Sequence, residues 1–248
     1  MVTTAYRIIF LIFSLYIIFP WVLKFVLRTK FLSDIKVSKN VCLTFDDGPN
    51  PDSTPEILKL LEKSKAKATF FLLGMNAEKY PHLVKAIIQG GHEIGEHSYR
   101  HSHPWKCSPV HTMLDHVLAH HCLGVYTNAR RGLLFRPPYG KFNLILCLYM
   151  LLRRKKPVFW NVNPRDYKQT SAEMIFRHVK NNLCPGAVIL LHDGRHNGAR
   201  SNDAATTVKA LDLILQESRR NGFTLATISE SLTRGPVVKD HQFEVDFL

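Results

Sequence analysis

Seven short apolar runs punctuate this chain, with amphipathic stretches between them, and that alternation limits the folds open to it. The runs lie at 40–45, 67–73, 92–97, 132–137, 157–162, 186–192 and 222–228. Helical periodicity falls between them, near 54–64, 77–89, 109–123, 142–153, 172–182 and 204–221. The first of these helices carries its own start signal. Ser53 and Glu56 have capping-box spacing around Pro55, and Ile57, Leu58, Leu60 and Leu61 supply the apolar side. Strand and helix in alternation predict an α/β protein with a parallel sheet, open or closed into a barrel. In such folds the working side chains gather where strands end. Asp46, Asp47, His97, Arg136, Asp166 and His192 all fall at or just past the ends of these runs.

A chain of 248 residues with 46% apolar and 21% charged content suits one substantial globular domain. The formal charge of +13 predicts attraction to anionic surfaces, such as phospholipid headgroups or acidic polysaccharide. No zinc-finger spacing or RNA-binding signature is present and the basic residues are dispersed, so no nucleic-acid partner is expected. Five cysteines, odd in number and without a C-x-x-C pair, argue against a disulfide framework.

Residues 8–27 hold a single charge, Lys24, and span the roughly 20 residues of a membrane-crossing helix. No small-residue cleavage site follows, only Arg28-Thr29-Lys30, so an uncleaved single-pass anchor is expected. Lys24, Arg28, Lys30, Lys36 and Lys39 outweigh Arg7, and the flanking charges lean towards a cytoplasmic body. The expected organisation is an anchor with its basic flank at 1–30, a connector at 31–38, a catalytic domain at 39–234 and a tail at 235–248.

Asp46 and Asp47 sit where the first run stops at a Gly-Pro turn. Two adjacent carboxylates are costly unless a cation sits beside one or a proton is taken up. His97 and His101 are four residues apart and, on one helical turn, would face the same way as half of a metal site. Asp47 is the obvious third donor. His103 competes with His101, and His116 with His120 forms a second pair of equal spacing on an expected surface helix. Arg136 precedes Pro137-Pro138-Tyr139-Gly140, a guanidinium suited to a carboxylate followed by a stiff loop whose N–H groups could meet an oxyanion. His192 ends the most apolar run and suits a general acid, with Asp166 as the carboxylate to orient it.

The stretches TFDDGP (44–49), HSYRH (97–101), RPPYG (136–140), WNVNPRDY (160–167) and LLHDG (190–194) resemble, in order and spacing, the polysaccharide deacetylases of NodB type, carbohydrate esterase family 4. The resemblance runs from about residue 39 to residue 232 and implies a distorted (β/α) barrel, commonly seven-stranded, with one divalent ion, usually zinc, although cobalt or another ion would fit. It implies Asp46 as general base and Asp47, His97 and His101 as metal ligands. Arg136 would position Asp46, and His192, steadied by Asp166, would be the general acid. The Tyr139 N–H, beside Pro138, would hold the oxyanion, and Leu190 would line the acyl pocket. Three departures stand out: Tyr167 where a tryptophan is common, Asn163 where an aspartate is frequent, and His103-Pro104 two residues later than usual.

The implied activity is removal of an N-acetyl or other small N-acyl group from an amino sugar in a polysaccharide, oligosaccharide or cell-wall glycan. One rival substrate is a polyprenyl-linked amino sugar at the cytoplasmic membrane face. A rival of another class is an inactive basic module that binds sugar or membrane.

Overall fold

The computed structural model describes residues 4, 6, 7, 10, 11, 14–127, 134–168, 171–194 and 203–233. The C-terminal tail expected at 235–248 lies outside the described residues.

Among the described residues, six parallel strands form one sheet in the order β5-β4-β3-β2-β1-β6. They are β1 (Cys42–Asp46), β2 (Ala68–Leu72), β3 (Glu93–Glu96), β4 (Leu134–Phe135), β5 (Lys156–Pro157) and β6 (Val188–His192). Every residue of β1 and β2 is buried, as strands covered on both faces must be. Alternate side chains then serve two different cores. Leu43, Phe45, Phe70, Leu72, Ile189 and Leu191 face the surrounding helices. Cys42, Phe71 and Val188 face the concave side, with Phe142 and Phe159. Phe45 and Phe70 are partners in register, with ring centroids 5.0 Å apart.

The helices that cover the outer face are α2 (Thr54–Lys63), α3 (Gly74–Lys79), α4 (Pro81–Gln89), α5 (Pro109–Gly124), α7 (Ala172–Asn182) and α8 (Asp203–Arg220), whereas α1 (Phe19–Lys36), α6 (Leu144–Leu152) and α9 (Ile228–Thr233) send side chains into the concave core. Ile57 and Leu61 of α2, Val84 and Ile87 of α4, and Ile175 and Val179 of α7 supply the apolar contacts. The expected helix at 77–89 is two helices, because Pro81 cannot continue the first and instead opens the second.

The expected barrel is realised as a curled half-barrel. Val162, just beyond β5, bridges to Ile189 of β6, so the two edges of the sheet come round towards each other. A seventh strand at 222–228 does not form among the described residues. That segment makes one bridge, Val41 to Leu225, and ties the lower ends of β1 and β2 through Val41 N–H to Thr224 O (3.0 Å) and Lys67 N–H to Leu225 O (3.2 Å).

The single-pass anchor is not supported: no described helix is long and apolar enough to cross a membrane. α1 begins at Phe19 and carries Lys24, Arg28, Lys30, Asp34 and Lys36. It turns Phe31 and Ile35 into the concave core, beside Phe159 and Met150. Burying each such side chain favours folding by ~1.5–3 kcal/mol, so α1 is a packed element of the domain. Residues 8, 9, 12 and 13 of the apolar run lie outside the described residues. The membrane-anchored location, with its lean to the cytoplasm, is corrected with the anchor.

Candidate active site

The register of the sheet assembles the site at the C-terminal ends of its strands. Asp46 ends β1 directly opposite His192, which ends β6. Asp46 shares the concave side with Thr44, as strand alternation requires. Asp47 would point to the opposite side, but its φ of +73° breaks the alternation and returns it to the same space. The turn is held from behind. Asn76 donates to Asp47 O (2.8 Å), the Asp193 N–H donates to Asp46 O (3.1 Å), and Thr54 Oγ1 donates to Asp193 Oδ2 (2.6 Å). Gly194 is required there, since a Cβ would lie 1.9 Å from Asp47 O.

His97 and His101 do come together, by a route other than a helical turn. They sit in the loop after β3, where Ser98 and His101 have φ of +69° and +59°. Ser98 Oγ accepts from the His101 N–H at 2.9 Å and holds the bend. Of the eight non-glycine residues with positive φ among those described, Asp47, Ser98, His101 and Tyr139 all belong to this site. Backbone strain concentrated in this way is a mark of functional geometry.

Asp47 Oδ1 lies 3.4 Å from His97 Nε2 and 3.3 Å from His101 Nε2. The three donors form a buried cluster in which all ligand atoms lie within 4.8 Å of one another. Donors ~2.1 Å from a tetrahedral zinc ion stand ~3.4 Å apart, so the cluster fits a divalent cation. His97 Nδ1 donates to the Arg136 carbonyl (2.7 Å), which leaves the Nε2 lone pair for the ion. Burial holds the His97 imidazole well below its usual value, in the neutral form that ligation needs. Burial likewise pushes Asp47 up to about 7, against the pull of His192 and with the push of Asp46 and Asp166. A divalent cation between these three donors would favour the ionised form of Asp47.

Arg136 is fully buried and donates from Nη1 to Asp46 Oδ1 (2.7 Å) and Thr44 Oγ1 (2.8 Å). Its guanidinium carbon stands 4.1 Å from the Phe71 ring centroid and 5.5 Å from that of Trp160. Burial raises Asp46 above the ordinary carboxylate range, and Arg136 is the largest influence in the other direction.

His192 Nδ1 donates to Asp166 Oδ1 (2.7 Å), and the His192 N–H donates to Asp166 Oδ2 (2.8 Å). Thr207 of α8 also donates to Asp166 Oδ2 (3.0 Å). Burial alone would lower the imidazole, but the charge and hydrogen bond of Asp166, aided by Asp47 and Asp46, raise it to about 10. These carboxylates favour the protonated imidazole.

A cavity of about 390 Å³ opens onto Asp46, His97, His101, His192, Tyr139 and Leu190. Arg136 and Asp166 stand behind its wall. Trp160, Asn163 and Tyr167 line it too, so the residues that depart from the family pattern face the same space. Tyr167 meets the His192 ring edge-on at 5.2 Å. Tyr139 has φ of +56° and packs its ring 4.6 Å from both His101 and His103. His103 stands against Tyr139 and outside the donor cluster. Pro138 is buried and does not line the cavity, whereas Pro137 does. The second histidine pair is not on an exposed face. His116 is buried against Phe135 and Tyr149, and His120 Nδ1 pairs with buried Glu96 (2.9 Å). Asn76 and Thr207 were not singled out from sequence and carry no motif signal, since each acts through long-range contacts; Asp193 lies within the LLHDG stretch, but its contacts to Asp46 and Thr54 are not visible from the motif.

These features match known proteins closely. Residues 34–150 fit the family described as polysaccharide deacetylase. A peptidoglycan-N-acetylglucosamine deacetylase of Bacillus cereus is 36% identical over 196 residues, covering 78% of this chain and 88% of that one. A chitooligosaccharide deacetylase of Bradyrhizobium is 32% identical, covering 77% and 90%. The family 4 carbohydrate esterase of Streptomyces lividans, solved with acetate, superposes with a TM-score of 0.66 at 30% identity, covering 75% of this chain and 91% of that chain. The chain belongs to the polysaccharide deacetylases of carbohydrate esterase family 4, and is a hydrolase of carbon–nitrogen bonds other than peptide bonds.

Proposed function

We propose that the protein removes N-acetyl groups from N-acetylglucosamine units of a cell-wall or chitin-like glycan, the substrates named for its Bacillus and Bradyrhizobium relatives. The observation that carries this reading is the division of labour between neighbouring acids: Asp47 faces two imidazole nitrogens while Asp46 faces Arg136.

Asp47, His97 and His101 would hold one divalent ion, zinc by preference, with cobalt also suited to a two-histidine, one-carboxylate donor set. When bound, that ion supplies Lewis acidity towards a water molecule and the amide carbonyl. Asp46 takes the proton of the attacking water; Arg136 favours its ionised form against the effect of burial and fixes its direction. The Tyr139 N–H, presented by the strained loop, donates to the oxyanion, and Leu190 packs against the acyl methyl group. His192 gives its proton to the departing sugar nitrogen. The carbon–nitrogen bond breaks, a carbon–oxygen bond to water's oxygen forms, and acetate and a free amino sugar leave.

The test is acetate release from N-acetyl chito-oligomers and from peptidoglycan, with the ion content measured in the same samples. One divalent ion per chain is expected, and activity should disappear on chelation and return on adding zinc. Activity that survives complete chelation would refute this reading.

A further inference from the structure

A fully buried carboxylate that the proposed chemistry does not use lies behind the donor cluster. Glu96 ends β3 directly before His97, and strand alternation turns its side chain away from the cavity, to the side that Ile94 shares. Three groups meet it there. His120 Nδ1 of α5 lies 2.9 Å from Oε1, the Tyr149 hydroxyl of α6 lies 2.9 Å from Oε2, and the buried Lys155 ammonium pairs with Oε1. The carboxylate thus joins α5, α6 and the segment that enters β5 to the end of one strand.

Stability is a poor reason for this arrangement. A buried ion pair gains little net free energy, because desolvation of both charges offsets their attraction. Its place in the sheet is more telling. β4 has only two residues, and Glu96 opposite Phe135 is its one register pair with β3 among the described residues. The ladder is therefore thin beside Arg136, whose N–H donates to Glu96 O at 2.9 Å and whose guanidinium holds Asp46. The bend that follows β3 hangs on α5 as well. Asp115 O accepts from the Tyr99 N–H at 3.1 Å, and Asp115 Oδ1 accepts from the Arg100 N–H at 3.0 Å. The helix that Glu96 grips through His120 is the helix that holds the loop between His97 and His101.

We propose that Glu96 is a positioning residue for both halves of the catalytic site: its clamped carboxylate fixes the end of β3, and so aims His97 at the donor cluster and Arg136 at Asp46. This rests on the deacetylase reading and adds to it a group that touches neither ion nor substrate. The clamp supplies from the outer side the rigidity that the short β4 ladder lacks.

The test uses two forms of the full chain. Glu96→Gln keeps the shape and removes the charge; Glu96→Gln with Lys155→Met leaves no buried charge stranded. Zinc affinity is read by competition with a chromophoric chelator, site geometry by the visible spectrum of the cobalt-loaded protein, and turnover by acetate release from N-acetyl chito-oligomers. Both forms should bind zinc about tenfold or more weakly, show altered cobalt bands, and lose kcat by a similar factor at unchanged KM. Reduced resistance to denaturant with zinc affinity, cobalt bands and kcat as in the wild type would make Glu96 structural only and overturn the proposal. Wild-type zinc affinity in the double variant would trace the defect to the stranded lysine and overturn it too. If the Glu96 variants do not fold, Tyr149→Phe, which takes one hydroxyl from the same carboxylate, should weaken zinc binding and alter the cobalt bands in the same direction. Unchanged affinity and bands in that variant refute the clamp. If the wild type itself releases no acetate, the deacetylase reading fails, while ion affinity and spectrum still decide the part played by Glu96.

Discussion

His97 Nδ1 lies 2.7 Å from the backbone carbonyl oxygen of Arg136, so one residue pair joins the donor cluster to Asp46. The carbonyl fixes the tautomer of His97 while the guanidinium of the same residue orients Asp46. Backbone and side chain of Arg136 thus serve the two halves of the site separately, and substitutions can separate them.

His97→Ala and His101→Ala should each abolish tight divalent-ion binding, read by equilibrium dialysis with elemental analysis. His120→Ala, which loses a contact to Glu96 outside the donor cluster, should keep one ion per chain. Loss of the ion from His120→Ala with the fold intact would contradict the assignment of ligands.

Arg136→Met should remove activity and destabilise the fold by ~3–5 kcal/mol, since it leaves a buried Asp46 without its partner. The double variant Arg136→Met with Asp46→Asn should recover part of that stability, because no buried charge is stranded. Denaturant unfolding measures both. Recovery of stability without recovery of activity is the expected pattern.

Asp166→Asn should move the alkaline limb of the kcat/KM profile to lower pH. The acid form of His192 is present below its pKa and is lost as pH rises through it. Asp166 is the main influence that raises this value, so its loss brings the limb down. The expected fall in activity at neutral pH is on the order of 10- to 100-fold. An unmoved limb would separate His192 from proton donation.

Stability should fall as pH drops from about 6.5 towards 4. Burial lowers His116 to about 4 in the folded chain, against 6.5 for the free group. A neutral histidine is favoured by folding here, so its contribution is full above the unfolded value and is lost as the pH falls through the folded value. The change is on the order of 3 kcal/mol, and His116→Phe should flatten the pH dependence.

The strand–helix alternation was legible because both periodicities are local, and β1, β2, β3 and β6 fall where the apolar runs lie. β5 was misjudged because Asn161 substitutes its side chain for part of the ladder, accepting from Val188 N–H at 2.7 Å and donating to Gly186 O at 3.2 Å. The strand expected at 222–228 stops at a local signal that periodicity ignores. Thr227 and Glu230 form a reciprocal cap, with the Thr227 N–H to Glu230 Oε2 at 2.9 Å and the Glu230 N–H to Thr227 Oγ1 at 3.2 Å, and this opens α9.

The candidate residues that the structure brings together were legible from sequence because most of them end a strand or follow one. Their geometry was not, because it depends on left-handed backbone at Asp47, Ser98 and His101. The anchor was misread because the apolar run passes into a charged helix: no described helix is long and apolar enough to cross a membrane. Phe31 and Ile35, further along the same helix, meet the concave core.

The most direct test compares acetate release by wild type and Asp46→Asn at equal zinc content on the same N-acetyl chito-oligomer. Asp46 as base predicts a fall on the order of 10²- to 10⁴-fold with the ion still bound. Undiminished release by a zinc-loaded Asp46→Asn protein would contradict the separation of base and metal ligand on which the mechanism rests.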